Sequence, residues 1–242
     1  MPEEATLEDI RGFALSFSSA AKRALEAGFE IIELHFAHGY LVQSFLSPTS
    51  NQRTDHYGGS FENRICLALE IVAAVKEVLP EDYPLFVRIS ADDNLPNGEG
   101  WSLADSVELA RRFKAAGMHL VDISMGLISW KAKTLLGRND SIDQVQMAAT
   151  VQREAGVATG AVGGIVSARY AEKILQSGQV TLIFIGRVSL DDPHWPAHAA
   201  FELNASAAYQ LPKQYHWSIG LPNWRTNFLL NGNRDKLIDG KE

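Results

Sequence analysis

Two histidines and a tyrosine crowd into His35-Phe36-Ala37-His38-Gly39-Tyr40. Neighbouring imidazole N–H groups make a hydrogen-bond fork for a carbonyl or phenolate oxygen and stabilise negative charge developing on it. Tyr40, close behind, has a hydroxyl that could deliver a proton. His-x-x-His also matches half of a zinc site, but no third ligand stands nearby. The pair could equally be satisfied polar residues at a strand terminus. Arg88 emerges at the end of the apolar run Pro84–Ser90. An arginine there pairs with a loop carboxylate, such as Asp92 or Asp93, or binds an anionic ligand. Glycines recur in Thr159-Gly160-Ala161-Val162-Gly163-Gly164 and in Ile185-Gly186-Arg187. They let backbone N–H groups approach a phosphate, or they make tight turns.

The elements that must position these groups alternate along the chain. Thr6 caps a helix whose apolar positions, from Leu7 to Leu25, recur every three or four residues until Gly28 ends it. An apolar run from Phe29 to Phe36 is interrupted by Glu30, Glu33 and His35, and a short helical segment is expected just after it. A polar loop, Ser47–Ser60, is read as internally bonded. It leads into a helix over Phe61–Leu79, which carries Cys66 in a packing role. Then come strand 84–90, a helix from the Ser102/Asp105 capping box to Gly117, and strand 119–124. Next are a long loop, a helix near 142–154 and strand 156–160. A helix at 167–175, strand 181–185 and a helix near 194–203 close the series.

Such strand-plus-helix units predict parallel strands joined by right-handed crossovers. Near-continuous apolar strands imply burial on both faces, as in an α/β barrel or a doubly wound sheet. The barrel is favoured, because His35, Arg88, Ser124, Gly163 and Arg187 all follow strands, and strand C-termini form the working face of a (β/α)8 barrel. A doubly wound sheet usually carries a glycine fingerprint after its first strand, and none is present. Only five strands are legible, against eight in a closed barrel. The expected organisation is a partial barrel domain over 1–205 and a tail over 206–242.

The 242 residues are 46% hydrophobic and 21% charged, with a net charge of −7. That balance excludes a disordered or collagen-like chain and leaves no basic footprint for nucleic acid. One cysteine excludes an internal disulfide framework and suits a reducing compartment. No membrane span or signal peptide is legible, so a cytoplasmic protein is expected.

Longer motifs carry a resemblance. Gly28-Phe29-Glu30, Glu33-Leu34-His35, Ala37-His38-Gly39-Tyr40-Leu41 and Phe45-Leu46-Ser47-Pro48 resemble the signature of the old yellow enzyme family. So do Arg53-Thr54-Asp55, Tyr57-Gly58-Gly59-Ser60, Pro84–Ala91, Ala158–Gly163 and Leu182–Arg187. The His-x-x-His spelling is similar to the bacterial, thermophilic-like branch of these FMN-dependent ene-reductases and NADPH dehydrogenases. The resemblance implies a TIM-type (β/α)8 barrel of which this chain holds the last five units. His35 and His38 would then hold the carbonyl oxygen of an α,β-unsaturated substrate, and Tyr40 would donate the proton. Arg88 would lie beside the N1/O2 edge of FMN, with Gly163, Gly186 and Arg187 at its phosphate. NADPH or NADH would be the co-substrate, no metal is implied, and a second copy or an N-terminal segment would complete the barrel. The alternative is a catalytically impaired, flavin-binding remnant or scaffold. Two departures stand out: Gln214-Tyr215-His216-Trp217-Ser218 lacks the branch's terminal arginine, and no Pro-Gly-Tyr-Gln run follows Ser124-Met125-Gly126.

Overall fold

The computed structural model describes residues 3–95, 98–126, 128, 141–205, 209 and 212–215. The chain divides into two compact units, Met1–Asp191 and Asp192–Glu242. The first unit opens on α1 (Leu7–Glu26), started by a reciprocal capping box between Thr6 and Asp9. β1 (Ile32–Phe36) is followed by three short helices, α2 (Leu41–Leu46), α3 (Phe61–Arg64) and α4 (Cys66–Lys76). The single helix expected over 61–79 is thus divided at Ile65, whose ψ of −8° departs from helical geometry. Then come β2 (Leu85–Ser90), α5 (Leu103–Ala115), β3 (Leu120–Ser124) and α6 (Ser141–Ala155). β4 (Ala158–Val162), α7 (Ala168–Gln176), β5 (Leu182–Phe184) and α8 (Arg187–Asp191) complete the unit. The Ser102/Asp105 capping box forms as read from the sequence.

The sheet order is β1-β2-β3-β4-β5, and every pair is parallel. The order never reverses, whereas a doubly wound sheet turns back on itself at a switch point. This is the winding of a (β/α)8 barrel, five strands wide among the described residues, with β1 and β5 as the edges there.

Register divides the sheet into two chemically distinct faces. Leu34, Val87, Val121 and Thr159 form one row, and Phe36, Ile89, Ile123 and Ala161 another. All eight are buried. Alternation turns the intervening residues the other way. That second face carries the row His35, Arg88, Asp122, Gly160 and Leu182, with Ser90 beside Ser124 one step further on. A slip of one residue would exchange the faces, so burial of the apolar rows also fixes the polar one.

In the second unit α9 (Trp195–Glu202) begins with Pro196 in its first turn, where a missing N–H costs nothing. His198 Nδ1 lies 2.5 Å from Asp192 Oδ2. A 3-10 turn covers Lys213–Tyr215. Residues 216–218 of the terminal motif lie outside the described residues.

Candidate active site

β1 delivers His35, and the chain then turns sharply. His38 has φ 61° and Gly39 φ 75°, two consecutive left-handed residues. Glycine adopts that region freely, but histidine does so at a cost on the order of 1 kcal/mol. Hydrogen bonds hold the turn. The His38 amide donates to Ser90 Oγ at 3.0 Å, the Gly39 amide to Gln43 Oε1 at 2.6 Å, and the Tyr40 amide to Ala37 O at 3.3 Å. Backbone strain of this kind persists only where the surroundings over-determine it.

The turn brings three rings together. The His35 and His38 centroids are 5.1 Å apart at 63°, and His35 and Tyr40 are 5.4 Å apart at 60°. His38 Nε2 lies 2.6 Å from Ser124 Oγ, so the serine at the end of β3 orients that ring. Burial, together with His35 and Arg88, pulls His38 down to about 4. Burial and Arg88 also lower His35. Both imidazoles are therefore neutral near pH 7 and offer N–H groups without a second positive charge beside Arg88.

Arg88 does not pair with Asp92 or Asp93, which corrects the loop-carboxylate expectation. Its Nε faces Asp122 Oδ2 in a close ion pair and Glu33 Oε1 at 3.5 Å, and its guanidinium lies 5.6 Å from the Phe184 ring centre. Parallel register explains the choice: Asp122 sits directly across from Arg88, while Asp92 and Asp93 lie beyond the strand. Asp122 is fully buried, and burial pushes it up to about 6 despite Arg88. Burial and the neighbouring Asp122 push Glu33 up to about 7, with Arg88 opposing. Among the described residues the Nη groups of Arg88 make no hydrogen bond, and the buried Asp122 Oδ1 has no partner.

Asp93 has other work. Its Oδ1 accepts from Gln43 Nε2 at 2.9 Å, and its Oδ2 accepts from Ser47 Oγ and from the Trp101 amide at 2.8 Å. The adjoining loop is internally bonded, as read from its sequence. Asn51 Nδ2 donates to Phe45 O and Tyr57 O, and Arg53 pairs with Asp55. Cys66, half-buried, opens α4 and donates to Glu62 O.

Gly163 follows β4 with φ 108°, and a Cβ there would fall 2.1 Å from Gln144 Oε1. That Oε1 is buried and has no partner among the described residues. Gly186 and Arg187 join β5 to α8, both exposed, and a Cβ on Gly186 would meet nothing within 4 Å. The fold therefore brings His35, His38, Tyr40 and Arg88 into one cluster. Gly163, Gly186 and Arg187 share its end of the sheet, but among the described residues no hydrogen bond or ring contact ties them to it. Sequence reading placed Ser124 at a strand end on the working face but missed its bond to His38, and it missed Glu33, Gln43, Asp122 and Gln144 as site residues. A carboxylate inside Leu120-Val121-Asp122-Ile123 was the available signal for Asp122. Among the described residues no three His, Cys, Asp or Glu side chains are placed to share a metal. No helix among them is long and apolar enough to cross a membrane.

Comparison with known proteins bears on the family and the fold. Residues 1–206 match the model of the NADH:flavin oxidoreductase / NADH oxidase family. The chain belongs to this family. It is 46% identical over 217 residues to an NADPH dehydrogenase of Geobacillus sp. (strain WCH70), covering 89% of this chain and 61% of the relative. For the NADPH dehydrogenase of Bacillus subtilis (strain 168) the identity is 43%, covering 89% and 62%. The chain thus spans about three fifths of the length of these curated relatives. Among solved structures, histamine dehydrogenase from Rhizobium sp. 4-9 matches with TM-score 0.71 and 28% identity, over 85% of this chain and 29% of that one. Morphinone reductase in complex with tetrahydroNAD matches with TM-score 0.65 and 25% identity, over 84% and 52%.

Proposed function

We propose that this chain carries the binding face of an FMN-dependent oxidoreductase that uses NADPH or NADH to reduce the C=C bond of an α,β-unsaturated carbonyl compound. The observation that carries the reading is the convergence of His35, His38, Tyr40 and Arg88 at one end of the polar row. The residues present fit a flavin. Arg88 offers a fixed cation for an electron-rich ring edge, Gln144 Oε1 is a buried acceptor without a partner among the described residues, and Gly163 keeps the adjoining turn free of a side chain. Arg88 would hold the ring's N1/O2 edge, and Gly163, Gly186 and Arg187 the phosphate. FMN held there would supply hydride-transfer chemistry between a nicotinamide and the substrate's C=C bond.

The chain's own residues do the rest. His35 and His38 donate N–H bonds to the substrate carbonyl oxygen, so charge arriving there is stabilised before any proton moves. Their neutrality keeps them donors of one proton each, and Ser124 fixes which nitrogen of His38 faces the site. Tyr40 is 64% exposed with its ring against that of His35, and its O–H would protonate the α-carbon. The reducing compartment suggested by the single cysteine, where NADPH is also available, is the cytoplasm.

The test is direct: FMN-loaded protein is assayed for 2-cyclohexenone-dependent NADPH oxidation without oxygen. His38→Ala is expected to lower kcat/KM about a hundredfold, and Tyr40→Phe about a hundredfold at unchanged FMN affinity. Absence of both FMN binding and turnover in the native sequence overturns the reading. The alternative, a flavin-binding remnant without turnover, has the open edges at β1 and β5 in its favour. It predicts FMN binding with no enone-dependent NADPH oxidation.

A further inference from the structure

We propose that Gln43 and Asp93 form a buried positioning relay that holds the His38–Tyr40 turn in its oxyanion-binding shape. The inference rests on reading His35 and His38 as that oxyanion site. Of the side chains bonded to the amides of this left-handed turn, Gln43 is the one whose other end meets a buried carboxylate. The Gly39 amide is an obligate donor, so Gln43 must turn its carbonyl toward Gly39 and its NH2 the other way. Asp93 Oδ1 receives that NH2, while Ser47 and the Trp101 amide occupy Oδ2. A carboxylate there only accepts, so it fixes the direction of the Gln43 amide as outer groups orient metal-bound imidazoles. Asp93 cannot retreat. The Trp101 carbonyl accepts from the Asp93 amide at 2.9 Å, and the Gly100 α-carbon leaves no room for a Cβ, which would come within 2.5 Å of Asp93 Oδ2. Gln43, Ser47 and Asp93 are all buried, on α2, at its C-cap and past β2 respectively. The turn that carries the imidazole is thus anchored to the loop beyond β2, and Gln43 and Asp93 act through it without touching substrate.

The experiment uses FMN-loaded protein and 4-nitrophenolate as the oxyanion probe, followed by its visible absorbance, with FMN affinity and melting temperature measured in parallel. The native protein binds the probe and His38→Ala does not; failure of the native protein to bind overturns the site reading and the relay with it. Gln43→Met, which removes both hydrogen bonds and adds no charge, is expected to weaken probe binding about tenfold with FMN affinity kept within about twofold. Gln43→Glu sets two carboxylates face to face and is expected to weaken it at least as much. Gln43→Glu combined with Asp93→Asn restores an acceptor for Gly39 and a donor between the two positions. Probe affinity should then return to within about threefold of native. Native-like probe affinity in Gln43→Met, or a double variant no better than Gln43→Glu, overturns the relay. So does a parallel loss of probe and FMN affinity, because a general packing defect lowers both.

Discussion

The two ends of the polar face are built differently. Toward β1–β3, His38 is tied to Ser90 and Ser124, Arg88 to Asp122 and Glu33, and the turn between them to Gln43. Toward β4–β5 the expected ligand-binding positions are glycines and an exposed arginine, β5 is three residues long, and Gln144 Oε1 has no partner among the described residues. The first end is organised by the protein, as groups that must meet a developing charge need to be. The second offers backbone and unspent hydrogen-bonding capacity, which suits a region completed by its ligand.

Substitutions should separate the two ends. The largest effect is expected from Arg88→Leu, which leaves Asp122 and Glu33 facing each other across an apolar side chain. Breaking one member of a buried pair costs about 3 kcal/mol or more, to be read from urea unfolding. At the other end Gly163→Ala must accept a left-handed φ of 108° and displace Gln144, a cost of about 2 kcal/mol together with weaker FMN binding. Gly186→Ala, with open space around it, should change stability by less than about 0.5 kcal/mol while still lowering FMN affinity. Equal destabilisation by the two glycine variants would erase the contrast.

Acid–base behaviour sharpens the first end further. Glu33 rises from 4.5 to about 7, and Asp122 from 3.8 to about 6. A raised carboxyl binds protons more readily folded than unfolded, so the stability it contributes is present at low pH and lost as pH rises through the folded value. His38, lowered from 6.5 to about 4, acts in the opposite sense: its contribution is present above 6.5 and lost as pH falls through about 4. The two trends oppose each other between about pH 4 and 7. Glu33→Gln should therefore make stability rise more steeply with pH across that window, and His38→Gln should make it fall. Unfolding free energies at several pH values would expose identical slopes in the two variants, the outcome that contradicts this pairing of charges.

Much of the fold was legible because its signals are local. Thr6, Ser102 and Ser167 each announce a helix start, and near-continuous apolar runs mark every strand. β4 was expected at 156–160 and lies at 158–162, since an apolar run cannot by itself place the ends of a strand. Pairing of Leu120 with Ala158 decides its start, and Gly156, at φ 64°, belongs to the turn. α8 went unread because five residues are too few to show a helical period. In the candidate site, type and spacing marked His35, His38, Tyr40 and Arg88 as candidates, and the family resemblance supplied their expected roles. Their supports were not, because Gln43 and Asp93 are separated by 50 residues and Arg88 and Asp122 by 34.

The sequence by itself therefore determined the order of elements, their caps, and the presence of a histidine fork, an arginine and glycine turns after the strands. These follow from interactions within a turn or two of chain. Tertiary structure alone decided which carboxylate neutralises Arg88, which hydroxyl orients His38 and which amide restrains the Gly39 turn. Those choices depend on strand register, and register is set by burying the apolar rows on the opposite face of the sheet.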